Sequence, residues 1–257
     1  MASLEELRAE RLKKAELLRE RGLDPYPSES NAKQTLAEVL EAFTKHHDAH
    51  KTITVAGRLR AIREQGALAF LDLDDGTGRL QIFVKREALG ADSFDLLIQT
   101  LDVGDWLEFA GSLMLTKRQE KTVAAGSWRM LAKSLRPLPD KWHGLQAVEE
   151  RFRHRYLDSL TSPEVGARFR LRSRLISLIR SFLDHRGFLE VETPMLQPLA
   201  GGATAEPFMT HHQALGLDLY LRISEELYLK RWLIGGFPRV YSLAKNFRNE
   251  GIDVNHN

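Results

Sequence analysis

The chain has 257 residues, 43% hydrophobic and 28% charged, enough for two ordinary globular domains each with its own core. Its 37 Lys and Arg face 35 Asp and Glu, so it is no polycation, and any nucleic-acid contact must come from local basic patches. Cysteine is absent, which excludes disulfides, thiolate metal sites and cysteine nucleophiles and suits a reducing compartment.

The N-terminus lacks the apolar stretch of a secretory signal, and Glu5, Glu6, Glu10, Glu16 and Glu20 make it too acidic for a transit peptide. No segment approaches the ~20 apolar residues of a membrane span. A cytoplasmic protein without a membrane partner is therefore expected. Residues 3–21 predict a helix with Leu4, Leu7, Ala15 and Leu18 as a thin apolar stripe and a Glu10–Lys14 pair. Gly22 and Asp24-Pro25-Tyr26-Pro27 end it. An RNA-touching arm and a plain solvated helix are both open for this segment. A second short helix is expected over 35–45, and His46, His47 and His50, without a supporting carboxylate motif, read as a solvated stretch.

From Thr52 the period changes to two. Residues 52–56, 68–73 and 80–84 read as strands, with Asp74-Asp75-Gly76-Thr77-Gly78 as the turn between the last two. A helix over 93–101 precedes strands over 106–113 and 122–130. Three strands, a helix and two strands is the order of a five-stranded OB barrel.

Arg136-Pro137-Leu138-Pro139-Asp140 reads as a stiff linker. Ser162-Pro163-Glu164 then starts a long helix, with Ser as N-cap and Pro at the first position. Val165, Phe169, Leu175, Ile176, Ile179, Phe182 and Leu183 fall on one face, and Gly187 closes it. Strands follow at 188–191, 220–223 and 239–243, with a helix at 225–233. The second half thus reads as an α+β domain of catalytic type.

Phe247-Arg248-Asn249-Glu250 carries the sharpest chemistry. An arginine at the end of the 239–243 strand can fork onto a phosphate or carboxylate and never loses its charge. That suits the attack of a carboxylate on a phosphorus, where both reacting groups are anionic. The long helix, Gly187, strand and Pro194 resemble motif 1 of class II aminoacyl-tRNA synthetases, and Phe247–Glu250 resembles motif 2. The strings 201–212 (GGATAEPFMTHH), 220–231 (YLRISEELYLKR), 247–252 (FRNEGI) and the linker 136–145 are similar to lysyl-tRNA synthetases of the bacterial type.

That resemblance implies a subclass IIb lysine–tRNA ligase that uses ATP to turn L-lysine into lysyl-adenylate and transfers it to tRNA(Lys), as a homodimer with Mg²⁺. Carried over, Arg248 is the catalytic residue and bridges the ATP phosphate and the lysine carboxylate. Gly202 and Glu226 hold the lysine ammonium, and Glu250, His256 and Asn257 face ATP. Without the family, Glu226 reads as an exposed acid early in a helix, favoured by the dipole. His211 and His212 alternate on a strand, which argues against a shared metal. In the OB region the same resemblance places Arg63, Phe70, Gln81 and Glu120 on the anticodon face, with Phe70 as a stacking platform. Phe70 in an alternating run also reads as core.

Ser242, Gln213 and Gln119 depart from the family's usual Glu, Asn and Gly. The expected division is 1–51 helical extension, 52–136 anticodon-binding OB domain, 137–160 linker and 161–257 incomplete catalytic domain. The resemblance stops within motif 2, so the chain is expected to be an N-terminal fragment inactive alone, with the magnesium ligands beyond it. A stand-alone RNA-binding module is the alternative.

Overall fold

Inside–outside alternation, clearest over residues 52–59 and 68–74, accompanies three antiparallel strands in the computed structural model, which describes residues 3–49, 51–139 and 145–253. They are β1 (Thr52–Gln65), β2 (Leu68–Asp74) and β3 (Arg79–Lys85). Val55, Leu59, Leu71, Leu73 and Ile82 point inward and are fully buried. The β2–β3 turn is built by its own acids: Asp74 accepts from Gly76 N–H, and Asp75 accepts from Thr77 N–H and its hydroxyl.

Before the barrel lie α1 (Leu4–Glu20), α2 (Leu36–Glu41) and α3 (Phe43–Asp48). After β3 come α4 (Arg86–Leu89), α5 (Ala91–Thr100), β4 (Trp106–Leu115) and β5 (Lys121–Ala132). The strands close in the order β1-β2-β3-β5-β4, with β3 and β5 parallel and β4 returning to β1, which is the five-stranded OB barrel expected. Gly111 is required where β4 meets β5 at a bulge: a Cβ there would sit 2.0 Å from the Ala124 carbonyl oxygen. Phe94 and Leu97 of α5 and Leu18 of α1 join the same apolar cluster.

Four local expectations change. Glu10 pairs with Lys13, because Lys14 reaches Asp102 at 2.9 Å and the Leu101 carbonyl instead. Leu4 and Leu7 are exposed, while Arg11 is buried and donates to the carbonyls of Ser134 and Arg136. The single helix over 35–45 is two, broken at Ala42, which turns Phe43 into the core. His46 is buried and His47 stacks on Phe43, so that stretch is not simply solvated; His50 lies outside the described residues.

Below this layer a buried ion cluster ties α1 to the barrel. Lys133, wholly buried, donates to the Thr100 carbonyl at 2.8 Å and to Asp105 at 2.7 Å, and also to Asp102. Burial pushes the Asp105 carboxyl above its ordinary value despite Lys133. Burial acts the same way on Asp102, but hydrogen bonds from Lys133 and Lys14 outweigh it and hold that carboxyl below.

The chain divides into two units, Met1–Thr161 and Ser162–Asn257. The first also contains α6 (Val148–Arg153) and α7 (Arg155–Thr161). The second begins with α8 (Pro163–Asp184), whose N-cap residue is Ser162, with no side-chain capping bond. Then come β6 (Leu189–Glu190), β7 (Leu196–Gln197), β8 (Met209–His212), β9 (Leu217–Leu221), α9 (Glu226–Ile234) and β10 (Val240–Tyr241). β7, β9 and β8 form one antiparallel sheet, and β10 pairs parallel with β6. These strands are shorter than the sequence suggests at 188–191 and 239–243. Of the apolar face on α8, Val165 is buried, whereas Phe169, Leu175, Ile179 and Phe182 stand exposed. Arg186 lies over the Phe182 ring, but the row stays exposed, so amphipathic spacing alone does not bury a face.

Candidate nucleic-acid interface and synthetase-type site

Strand register decides which residues meet on the outer barrel face. Arg63 on β1 lies opposite Phe70 on β2, and Phe70 lies opposite Phe83 on β3. One step along, Asp72 is opposite Gln81, and Gln81 is opposite Thr122 on β5. The β4–β5 turn brings Glu120 over this grid. Arg63, Phe70, Gln81, Phe83 and Glu120 line a concavity of about 680 Å³, together with Met114, Lys117 and Arg118.

The four residues singled out in the sequence for this face, Arg63, Phe70, Gln81 and Glu120, therefore share one concavity. Phe70 is half-buried and outward, not in the barrel core. Its ring lies 4.9 Å from that of Phe83 at an interplanar angle of 32°, so two aromatic faces wall the hollow. Arg63 is held flat by a forked pair of hydrogen bonds to Asp72 at 3.0 and 3.3 Å. Gln81 donates to Glu120 at 2.9 Å, and the buried Thr122 hydroxyl donates to Gln81 at 3.0 Å. Phe83 was missed in the sequence, although alternation from Gln81 puts it on the same face. Lys117 and Arg118 were also missed, because turn residues carry no periodic signal.

The turn itself is tight. Gln119 N–H donates to the Thr116 carbonyl at 2.8 Å, and Glu120 N–H to the Thr116 hydroxyl at 3.1 Å. Gln119 adopts a φ of 62°, the left-handed region in which the family's usual Gly sits without cost.

In the second unit Gly202 and Glu226 come together. Gly202 has a φ of 87°, and a Cβ on it would lie 3.0 Å from Ser224 Oγ and 3.4 Å from Glu226 Cβ. Glu226 opens α9, its N–H donates to Ser224 Oγ, and its carboxylate pairs with Lys230 at 2.6 Å. Such an exposed i,i+4 pair contributes little and is easily exchanged for another cation.

Arg248 does not sit at a strand end. β10 stops at Tyr241, and the tetrapeptide lies in irregular chain pinned by two backbone bonds, Phe247 N–H to the Arg222 carbonyl and Asn249 N–H to the Glu206 carbonyl. Among the described residues β10 pairs with β6 only at Val240 and Tyr241, so the strand does not reach Arg248. The Arg248 and Glu250 side chains are exposed, and His256 and Asn257 lie outside the described residues.

The organiser of this loop is Arg222, also missed. Buried, it donates from Nε to the Lys245 carbonyl and from Nη1 to Thr193 O and Oγ1, with Glu225 3.6 Å away. An arginine between Leu221 and Ile223 was the only available signal. His211 pairs with Asp218 at 2.7 Å, while His212 accepts from Leu215 N–H, so the two rings serve different partners.

Residues 53–131 match the family described as OB-fold nucleic acid binding domain, and residues 147–257 match tRNA synthetases class II (D, K and N). Over 254 residues the chain is 49% identical to a lysine–tRNA ligase of Carboxydothermus hydrogenoformans, covering 99% of this chain and 51% of that protein. It is 51% identical over 255 residues to one of Roseiflexus castenholzii, covering 99% and 52%. A lysine–tRNA ligase of Magnetococcus marinus is 49% identical over 253 residues, covering 97% and 50%. The chain spans about half the length of the curated relatives it matches.

Proposed function

We propose that this chain, whose residues 147–257 match tRNA synthetases class II (D, K and N) and whose residues 53–131 match an OB-fold nucleic acid binding domain, serves as part of a lysine–tRNA ligase. In this reading the barrel concavity receives unpaired anticodon bases of tRNA(Lys). The second unit contributes to the site where ATP activates L-lysine to lysyl-adenylate. Arg248 would bridge the ATP phosphate and the lysine carboxylate, Gly202 and Glu226 would hold the lysine ammonium, and Glu250, His256 and Asn257 would face ATP. The reaction would use Mg²⁺; among the described residues no three His, Asp or Glu side chains gather as a metal site. The exposed row Phe169, Leu175, Ile179 and Phe182 on α8 suits packing against a second copy in a homodimer. No helix of the described residues is long and apolar enough to cross a membrane, and translation chemistry suits the cytoplasm.

The observation that carries the reading is the convergence of Arg63, Phe70, Gln81 and Glu120 on one hollow walled by two aromatic rings. Phe70→Ala is expected to weaken binding of a lysine-anticodon stem-loop by about 1–3 kcal/mol if one base stacks there. Because Phe70 is half-buried and outside the barrel core, thermal unfolding should shift little. Unchanged affinity with a large stability loss would make Phe70 a structural residue and remove the reading's main support.

A stand-alone RNA-binding module has one observation in its favour: the large apolar cluster consists only of residues in the first unit. Lysine-dependent ATP–pyrophosphate exchange separates the two readings, measured on a protein of the relatives' length that includes this chain. Under the ligase reading Arg248→Ala lowers exchange by about 10²–10³, and Lys rescues little because one ammonium cannot replace a planar fork.

A further inference from the structure

Gln81 can read a base only if its amide faces one way, since its oxygen accepts and its nitrogen donates. Two neighbours fix that choice. The Glu120 carboxylate accepts only, so the amide nitrogen must face it, at 2.9 Å. On the other side the Thr122 hydroxyl lies 3.0 Å from Gln81 Oε1. That hydroxyl has one proton and two acceptors in reach, Gln81 Oε1 and the Glu120 carbonyl at 3.1 Å. The Glu120 carbonyl already receives the Thr116 N–H at 3.1 Å, whereas among the described residues the Thr122 hydroxyl is the donor recorded for Gln81 Oε1, so the proton is better placed on Gln81. Glu120 is exposed and free to turn, whereas Thr122 is 0% and Gln81 7% exposed. Thr122 is therefore the rigid member of the pair.

We infer that Thr122 is a positioning residue for base discrimination: it locks the Gln81 amide so that its second N–H sits beside a Glu120 oxygen and together they read a keto edge. This rests on the anticodon-side reading of the concavity. Such an edge shows a donor next to an acceptor, complementary to the carbonyl and N3–H of uracil. Cytosine presents an amino donor and a bare ring nitrogen, so each contact would oppose like with like. Removing the Thr122 hydroxyl leaves Gln81 Oε1 without its buried donor and lets the amide turn whenever Glu120 swings away.

The test uses the 257-residue chain and two RNA hairpins, one with three uracils in its loop and one with three cytosines. Thr122→Val is expected to lower the uracil-over-cytosine preference on the order of three- to ten-fold, the worth of one hydrogen bond. Thr122→Ser should restore it, and thermal unfolding is followed alongside. Wild-type preference retained in Thr122→Val overturns the positioning role alone. No preference in the wild-type chain overturns it together with the base-reading role of the hollow. If Thr122→Val does not fold, the Gln81 side-chain amide of the wild-type chain decides by NMR. A single orientation with one slowly exchanging proton supports the lock; two interconverting orientations overturn it.

Discussion

Gly202 and Ser224 touch so closely that a methyl group on the glycine would come within 3.0 Å of the serine oxygen, which itself accepts the N–H of Glu226. The backbone at Gly202 and the first turn of α9 are thus one packed unit, although more than twenty residues separate them. Gly202→Ala adds both the contact and the strain of a side chain at φ 87°, expected to cost about 1–2 kcal/mol. The readout is amide exchange at Glu226, which should quicken in the variant. An unchanged Glu226 amide would show that the two segments are not coupled.

Gln119→Gly is expected to stabilise the first unit by roughly 0.5–1 kcal/mol, because relief of the left-handed strain exceeds the added chain entropy of glycine. Chemical denaturation of both chains checks the sign. A destabilised variant would mean that the Gln119 side chain makes a contact worth more than its backbone strain.

Lys133→Ala leaves Asp105 buried without its cation, and an unpaired buried charge typically costs 3–5 kcal/mol. Adding Asp105→Asn should recover part of the loss, since the amide carries no charge to strand. If Lys133→Ala lowered stability by less than about 1 kcal/mol, the cluster would not be what ties α1 to the barrel.

Acid should release residues 30–36 from the barrel before the strands open. Burial alone would raise the carboxyls of Glu108 and Asp75, but both are held below their ordinary values. Ser30, Asn31 and Arg129 donate to Glu108; Thr77 and the Leu36 N–H donate to Asp75. A lowered folded pKa means the unfolded form takes the proton first, so the stabilisation is present above about pH 4–4.5 and disappears as pH falls through the folded values. Asp105, with its raised carboxyl, acts in the opposite sense, gaining relative stability as pH falls. Exchange at the Asn31 and Leu36 amides, followed as pH falls, tests this; simultaneous loss with the β1–β5 amides would contradict it.

Hydrogen exchange should also separate the two units. The first buries a continuous apolar cluster, whereas in the second Val165, Val191, Ile223 and Tyr241 are buried and most of α8 is open. Strong protection across β1–β5 with weak protection in α8, β8 and β9 is expected. Equal protection in both units would mean that the second has found cover for its apolar face.

The OB barrel was legible in the chain because stretches such as 52–56 and 68–73 carry a period of two and the turn between β2 and β3 has its own acids and glycines. The Asp74–Gly78 turn and the alternation Leu68–Leu73 needed no distant partner to be read. The break at Ala42 was not legible, since no local residue demands it; it answers the need to bury Phe43. Likewise Lys14 prefers Asp102 to Glu10, a choice made by residues far away in sequence.

The candidate site divides the same way. Phe70, Gln81 and Glu120 were placed on the RNA face by the family resemblance, with Phe70 in its alternating run also readable as core, while FRNE at 247–250 is readable as an anion-binding string because type and spacing are local properties. Which of them meet is not local. Cross-strand register set Arg63, Phe70 and Phe83 in one row and made Thr122 the hidden partner of Gln81. A buried arginine at position 222, not a strand, anchors the loop that carries Arg248. Sequence determined the alternation, the turns and the kinds of chemistry available, since these depend on neighbours along the chain. Only the tertiary structure decided the partners, since a hydrogen bond or ring contact depends on distances that register and burial impose.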